Sequence, residues 1–350
     1  MDINIVGIGS KIGSLEITNS DLEKMLNTTE EKIISTTGIK RRFHYDTHRG
    51  ENIFTLGCVA VEHALSDANL TLGDVDGIFL SSNPVLDYSL PSPSGIIASL
   101  LGINHFYSWT GGYACAGPSI AMDSVFNKLS NPKMKNKTYV LIAGDQISSV
   151  LDPQSKDNIL FTDAVSCLVV TNRQELDPYY SILNCNQETT NDSIDAFRLK
   201  RREDFLFHDG RKIFRFANKS VPIVASSLMD IRDFKDTYFI PHQANRRILE
   251  NFRTALGLQK NQMYMNGEKS IVEIGNSGPA STFMALEDVT EKELASAYNR
   301  VVCVLFGEGL SVGVIELEKK NKKKTESRLG REDLFEKYKE RFSSFEQRWK

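Results

Sequence analysis

The 350-residue sequence has no apolar run long enough to span a bilayer, which takes about 20 consecutive apolar residues in a helix. Its first residues, MDINIVGIGS, lack the basic segment and apolar stretch of a secretory signal, so we expect a cytoplasmic protein. The formal net charge is only -3, which gives the surface as a whole no attraction for nucleic acid. The composition therefore argues against membrane and nucleic-acid partners.

Cysteine is scarce, and no two cysteines form a C-x-x-C pair. The odd number of five favours reduced thiols over a disulfide framework; they are Cys58, Cys115, Cys167, Cys185 and Cys303. No cysteine or histidine cluster has the spacing of zinc ligands. His44 and His48 are four residues apart in a polar segment that we interpret as a solvated loop. We therefore expect no metal and no cofactor.

Short β-branched runs alternate with amphipathic stretches, which predicts an α/β fold with largely covered sheets. A pair of apolar strands ends each half of the chain, YVLIAGD with LFTDAVSCLVV in the first and RVVCVLFGEG with LSVGVIELE in the second. The repeated arrangement predicts two similar halves, residues 1–171 and 172–318. A polar segment at residues 186–211, near the start of the second half, is predicted to be a surface excursion.

Residues 319–350 form a highly charged C-terminal extension. Its later part places four large apolar residues at helical spacing, which predicts a terminal helix packed on the body, and a partner-binding role is the less favoured alternative. These residues are Leu334, Tyr338, Phe342 and Phe345.

Cys115 lies in GGYACAGPSIAMDSV, where small residues surround it and a helical pattern begins immediately afterwards. Pro118 suits the first turn of that helix, where a missing N–H is harmless. The positive end of the helix macrodipole favours a nucleophilic thiolate at such a position. The alternative is a small buried apolar residue, and this segment alone does not decide between the two.

Two further polar residues lie at similar junctions. His242 follows a predicted strand ending at Pro241 and precedes a helix from about Asn245. Asn276, in IVEIGNSGPAST, is predicted to follow a strand and to precede another helix. Alone, the histidine would be structural and the asparagine a turn residue. The functional interpretation depends on the occurrence of three side chains capable of catalysis, those of Cys115, His242 and Asn276, at three similar junctions.

These segments together resemble the β-ketoacyl-acyl carrier protein synthase III family of the thiolase superfamily. The resemblance lies in ACAG around Cys115, PHQAN around His242 and GNSGPAS around Asn276. The segments STTGIKRR, LPSPSGIIASLLGI, HDGRKIFRFA and LFGEGLSVG add to it, in the order of the family, and the resemblance ends near residue 318.

The resemblance implies a thiolase fold, layered α-β-α-β-α with two pseudo-equivalent halves, in a homodimer. Cys115 would accept an acyl group from a thioester, and His242 and Asn276 would stabilise the enolate of a malonyl-type or β-ketoacyl thioester on acyl carrier protein. The backbone N–H groups of Cys115 and Glu308 would form the oxyanion hole. The substrate tunnel would include Leu90 and Phe306, and Arg246 and Arg247 would dock the carrier protein.

Three positions depart from the family pattern. Lys32, Thr36 and Ser149 replace a tryptophan and two arginines that hold coenzyme A in the family. Loss of an aromatic platform and two cations weakens stacking and phosphate contacts. We therefore expect a specialised relative in fatty acid, polyketide or dialkylresorcinol-like biosynthesis, with its acyl group delivered by carrier protein.

Two alternatives stay open. A non-condensing acyltransferase would pass the acyl group to an alcohol or amine, although the Cys-His-Asn set favours condensation. A non-catalytic partner subunit of a ketosynthase heterodimer would usually lack the nucleophile, which this chain retains. A serine hydrolase is less favoured still.

Overall fold

The computed structural model describes residues 2–83, 91–112, 114–190, 194–199, 204–307, 310–322 and 331–348. The strands are β1 (Asn4–Ile12), β2 (Leu15–Thr18), β3 (Arg41–His44), β4 (Gly77–Ser81), β5 (Tyr107–Gly111), β6 (Thr138–Asp145), β7 (Ala164–Thr171), β8 (Tyr180–Thr189), β9 (Phe197–Arg198), β10 (Phe207–His208), β11 (Thr237–Pro241), β12 (Arg300–Gly307) and β13 (Ser311–Lys319).

The helices are α1 (Asn19–Met25), α2 (Glu30–Thr37), α3 (Ile53–Asp67), α4 (Pro93–Leu101), α5 (Gly117–Ser130), α6 (Gly210–Lys219), α7 (Val221–Leu228), α8 (Arg246–Ala255), α9 (Ile271–Ile274), α10 (Ser281–Glu291) and α11 (Arg331–Gln347). No helix among these is both long enough and apolar enough to cross a membrane.

The sheet has the same strand pattern in its two halves. In the first half, β1 is antiparallel to β7, β7 is antiparallel to β6, and β6 is parallel to β4. In the second half, β8, β13, β12 and β11 repeat these orientations in the same order. β5 extends the first half, and a short pairing of β1 with β8 joins the halves. The duplication expected from the strand pairs is therefore present, whereas the boundary at residue 171 stays a prediction.

Two helices form the central layer. α5 and α10 each contact strands of both halves, and every residue from Ser281 to Val289 is buried. α3, α4 and α11 cover the outer face of the first half, while α6, α7 and α8 cover that of the second. Alternate residues from Val301 to Phe306 face the central and the outer layer, as expected for a strand buried on both sides. The layers follow the predicted order α-β-α-β-α.

The C-terminal helix α11 packs on the body against α3 and α4. Tyr338 is fully buried and donates a 2.6 Å hydrogen bond to Glu62, and the Phe342 ring stacks on Phe54 at 5.5 Å. The aromatic residues at helical spacing thus face the apolar surface of the first half.

Two local expectations are wrong. The segment IVEI before Asn276 is the short helix α9 and not a strand, because a four-residue apolar run carries too little periodicity to tell the two apart and is buried either way. His44 is not in a solvated loop, since it ends β3 and its Nε2 atom is buried without a hydrogen-bond partner. Burial lowers the pKa of His44.

Candidate active site

Cys115 lies where the central helix α5 begins. A short 3-10 turn, Ala114–Ala116, leads directly into α5, and Cys115 is partly exposed there. The first α5 residue, Gly117, packs against the carbonyl oxygen of Gly112, where an added Cβ would lie 2.1 Å from that oxygen. The close approach explains the small residues of the ACAG segment, and it places Cys115 at the N-terminal end of a 14-residue helix.

The turn before Cys115 is held in an unusual backbone conformation. Ala114 has φ +42°, in the left-handed region that a residue with a Cβ seldom occupies. Its N–H donates a 3.1 Å hydrogen bond to Asn83 Oδ1. Asp145 in turn accepts from the backbone and side-chain N–H groups of Asn83, and burial raises the pKa of Asp145 to about 6. A buried polar network therefore fixes the residue that precedes the nucleophile candidate.

The other four cysteines are buried in the core. Burial raises the pKa of each thiol, to about 12 for Cys303. These cysteines are Cys58, Cys167, Cys185 and Cys303. Of the five, only Cys115 combines partial exposure with a helix start, which favours a reactive thiol over a buried apolar residue.

His242 follows β11 at the predicted strand-to-helix junction. Its backbone N–H donates to the Val304 carbonyl at 2.7 Å, and its ring meets the Phe306 ring edge to face at 5.1 Å. Ser281 Oγ lies 2.5 Å from His242 Nδ1 and accepts from the Gln243 N–H at 3.4 Å. We assign the Ser281 hydroxyl as the donor to Nδ1, which places the proton of the neutral ring on Nε2.

Burial lowers the pKa of His242 to about 3, so the ring is neutral at physiological pH. A neutral ring protonated at Nε2 presents one N–H donor, and its remaining lone pair, on Nδ1, is engaged with Ser281. The arrangement suits His242 to donating a hydrogen bond.

Asn276 is oriented by its own loop. Its Oδ1 atom accepts a 3.0 Å hydrogen bond from the Gly278 N–H, which leaves the Nδ2 group as the donor toward its surroundings. Its backbone pairs with the segment around Phe161, through Asn276 N to Leu160 O and Thr162 N to Asn276 O, both 2.8 Å. Asn276 is therefore a second fixed N–H donor.

The three candidates converge on one cavity. Cys115, His242 and Asn276 all line a space of about 200 Å³ between the two halves of the sheet. The remaining walls are mostly apolar, as suits a hydrocarbon chain; they include Leu160, Phe161, Phe197, Ile213, Phe214 and Ile248. A thiol and two directed N–H donors in an apolar cavity can hold a thioester and stabilise negative charge on its carbonyl oxygen.

The remaining predicted residues are distributed around this cavity. Phe306 lines it, as expected for a tunnel residue. Leu90 and Glu308 lie outside the described residues. Gly307, the neighbour of Glu308, packs on the nucleophile segment, since an added Cβ would lie 3.0 Å from Cys115 N. The turn proposed for the oxyanion hole therefore starts beside the Cys115 N–H.

Arg246 and Arg247 begin α8, next to two surface grooves. Asn245 caps this helix by accepting from the Arg247 N–H at 2.8 Å. Arg247 lines both grooves, and Phe214 lines the grooves as well as the Cys115 cavity. Further cations follow one another at four-residue spacing along α6 in the second groove; they are Arg211, Arg215 and Lys219.

Sequence reasoning did not single out Ser281 or His208. Ser281 ends the quoted GNSGPAS segment and His208 opens the quoted HDGRKIFRFA segment, but neither carried a local signal of its function. Ser281 orients His242, and His208 lines the cavity together with Cys115. Both roles arise from contacts between residues distant in the chain.

The layered fold and the cysteine cavity define the class, an enzyme of the thiolase superfamily. The profile of the family 3-oxoacyl-(acyl carrier protein) synthase III, C terminal, matches residues 230–319. The β-ketoacyl-(acyl carrier protein) synthase III of Clostridium tetani is 28% identical over 334 residues, covering 89% of this chain and 96% of that protein. That of Oceanobacillus iheyensis is 29% identical over 325 residues, covering 91% and 99%.

A solved structure agrees with these sequence relatives. The crystal structure of 3-oxoacyl-(acyl carrier protein) synthase III from Aquifex aeolicus has a TM-score of 0.81 and 25% identity, covering 90% of this chain and 99% of that one. The chain is thus similar to β-ketoacyl-acyl carrier protein synthases III of the thiolase superfamily along most of its length, which confirms the resemblance identified from its motifs.

Proposed function

We propose that this enzyme condenses an acyl group carried on Cys115 with a malonyl-type or β-ketoacyl thioester bound to acyl carrier protein. The observation that carries the proposal is the single cavity lined by Cys115, His242 and Asn276. The thiolate of Cys115 attacks the carbonyl carbon of a donor thioester, and the carbon–sulfur bond to the donor breaks so that the donor leaves as a thiolate. The oxyanion of that step lies toward the Cys115 N–H and the turn that contains Glu308.

The second half-reaction uses the two side-chain donors. A malonyl-type thioester loses carbon dioxide, and its enolate oxygen accepts hydrogen bonds from His242 Nε2–H and Asn276 Nδ2–H. The enolate carbon then attacks the acyl-cysteine carbonyl, a carbon–carbon bond forms, and Cys115 leaves as a thiolate. Both donors are fixed in advance, by Ser281 and by the Gly278 N–H, so they need not reorganise as charge develops.

The proposed donor of the acyl group is acyl carrier protein in preference to coenzyme A. The Thr36 and Ser149 hydroxyls are both engaged with backbone carbonyls, those of Lys32 at 2.6 Å and Gln146 at 2.7 Å. Neither can replace an arginine as a phosphate ligand without giving up its bond. Lys32 is exposed and offers only a point charge.

Carrier-protein docking is proposed at the grooves beside Arg247. Arg246 and Arg247 are exposed, and Arg211, Arg215 and Lys219 add positive charge across the second groove. An acidic carrier protein would be attracted there although the chain as a whole is weakly negative. Phe214 borders both the grooves and the cavity, so a pantetheine arm would enter beside it.

We also propose a homodimer and a cytoplasmic location. Among the strands that the structure describes, β5 lies at the edge of the sheet and its Tyr107 is exposed, a surface that a second copy can extend. The chemistry requires Cys115 as a thiol, which a reducing compartment preserves.

Intact-mass analysis tests the proposal. The protein is incubated with one acyl group on carrier protein or on coenzyme A, and the mass gained by the protein is followed by peptide mapping. We expect acylation of Cys115, at least about tenfold faster from carrier protein, since about 1.4 kcal/mol of lost coenzyme A contact corresponds to that factor. Addition of malonyl-carrier protein should then release a β-ketoacyl product. Absence of loading, or loading elsewhere, would refute the mechanism, and faster loading from coenzyme A would refute the donor preference.

A further inference from the structure

A second histidine lines the same cavity as Cys115, and it is paired with a carboxylate. His208, the last residue of β10, has its Nδ1 atom 2.8 Å from Asp157 Oδ1. The two side chains are only 12% and 22% exposed. The His208 ring also meets the rings of Phe161 and Phe197 edge to face, each at 5.9 Å. The imidazole is thus fixed by one hydrogen bond and two ring contacts.

The Asp157 side chain is itself held in place. Its Oδ2 atom accepts a 3.0 Å hydrogen bond from the Ser155 hydroxyl, which leaves Oδ1 for His208. Ser155 caps the 3-10 turn Lys156–Ile159 by accepting from the Asp157 N–H. The turn and the histidine are 51 residues apart in the chain, so this pair exists only through the tertiary fold.

The two cavity histidines differ in which ring nitrogen carries the proton. A carboxylate can only accept a hydrogen bond, so the proton of neutral His208 is on Nδ1 and its Nε2 carries a lone pair. His242 has the reverse assignment, with its Nε2 protonated through Ser281. Among the described residues that line the cavity, the ionisable ones are Cys115, His208 and His242. His208 Nε2 is therefore the basic nitrogen of this site.

Decarboxylative condensation does not require such a base, because loss of carbon dioxide itself generates the enolate. A β-ketoacyl thioester has no carboxylate to lose, and its enolate forms only when a base removes an α-proton. An alcohol or amine acceptor would also need a base, but it has no carbonyl oxygen for the two N–H donors of His242 and Asn276. Two N–H donors together with a base therefore fit an acceptor substrate that loses a proton from a carbon atom next to a carbonyl group.

We propose that His208 is the catalytic base for a non-decarboxylative condensation, in which a β-ketoacyl thioester is the acceptor and Asp157 is the positioning residue. The inference rests on the proposed function, since the acyl group is again on Cys115. His208 Nε2 takes the α-proton, and the enolate oxygen is held by His242 and Asn276. The enolate carbon bonds to the acyl carbonyl carbon, the carbon–sulfur bond breaks, and Cys115 leaves as a thiolate that recovers the proton from His208.

Single-turnover condensation with two acceptors tests the proposal. The acyl-enzyme is formed first and its occupancy measured by intact mass, and then malonyl- or 3-oxohexanoyl-carrier protein is added. His208→Gln should lower the ratio of the β-ketoacyl rate to the malonyl rate about 100- to 10,000-fold, the usual contribution of a general base. Asp157→Asn should shift the ratio in the same direction through kcat rather than KM, because an amide donor favours the Nε2–H tautomer. His48→Gln, on an exposed turn, is the matched control.

Deuterium exchange tests the base without the nucleophile. In deuterated buffer, Cys115→Ala should exchange the α-protons of a 3-oxohexanoyl thioester faster than buffer alone, and the Cys115→Ala/His208→Gln double variant should not. Equal exchange in both proteins, or an unchanged ratio of the two condensation rates in His208→Gln, would overturn the assignment. Because exchange does not need an acyl-enzyme, it separates failure of the base from failure of Cys115 loading.

Discussion

Ser281 Oγ lies 2.5 Å from His242 Nδ1, and with the hydroxyl as the donor in this contact the proton of the neutral ring is on Nε2. Ser281→Ala should lower the condensation rate on the order of 100-fold through loss of tautomer and ring orientation, while Cys115 acylation stays near normal. His242→Ala and Asn276→Ala should each lower condensation by about 100- to 1,000-fold. Single-turnover assays measure both steps, and Ser281→Thr should restore activity. A Ser281→Ala enzyme that loads poorly yet condenses normally would contradict this division.

Cysteine substitutions should separate Cys115 from the other four. Cys115→Ala should abolish covalent loading, because the remaining thiols are buried and their pKa values are raised. The control variants should still load, namely Cys58→Ala, Cys167→Ala, Cys185→Ala and Cys303→Ala. Intact mass before and after incubation with an acyl thioester provides the measurement. Persistent loading of Cys115→Ala would place the nucleophile elsewhere.

Charge reversal at Arg247 should weaken carrier-protein binding. Arg247→Glu should raise the KM for carrier-bound substrates up to about fivefold at low salt, since an exposed ion pair contributes about 0.2–1 kcal/mol. The effect should diminish as salt screens the charges. Lys133→Glu is the control, because this exposed lysine follows the C-terminal end of α5, opposite to Cys115. Equal KM values for Arg247→Glu and Lys133→Glu at low salt would contradict a role of Arg247 in carrier-protein docking.

Truncation of Tyr338 should destabilise the protein without changing its chemistry. Tyr338→Ala removes a fully buried ring and its hydrogen bond to Glu62, at a cost of about 3–5 kcal/mol in the free energy of unfolding. Glu340→Ala, on the exposed side of α11, should change stability little. Urea denaturation compares the two variants. A Tyr338→Ala protein of wild-type stability would show that α11 contributes little to the fold.

The stability of the protein should depend on the protonation of His242. Its pKa is lowered from 6.5 to about 3 by burial, so the unfolded chain binds the proton more readily between these values. Stability from the neutral ring is present above pH 6.5 and is lost as the pH falls toward 3, by at most about 1.4 kcal/mol per pH unit. His242→Gln should therefore lose less stability on acidification. Parallel denaturation curves for the two proteins over this range would contradict the buried neutral assignment.

The motifs around Cys115, His242 and Asn276 were predictable because each is a local junction. Small residues, a helix start and a strand end are read within a few positions of the chain, and the α/β alternation follows from periodicity in the same way. The short IVEI run was misassigned because four apolar residues carry almost no periodicity. The hydrophobic pattern is sufficient to identify a helix or a strand only where that element is long enough for the pattern to repeat.

The sequence by itself determined the family resemblance, the layered α/β class and the three candidate residues at the junctions, because those features are encoded by neighbouring residues. Only the tertiary structure decided which atoms meet in the cavity. Ser281 reaches His242 across 39 residues, and Asp157 reaches His208 across 51. Packing of the two halves around α5 and α10 creates these contacts, so the protonation of each histidine depends on a partner that no local pattern identifies.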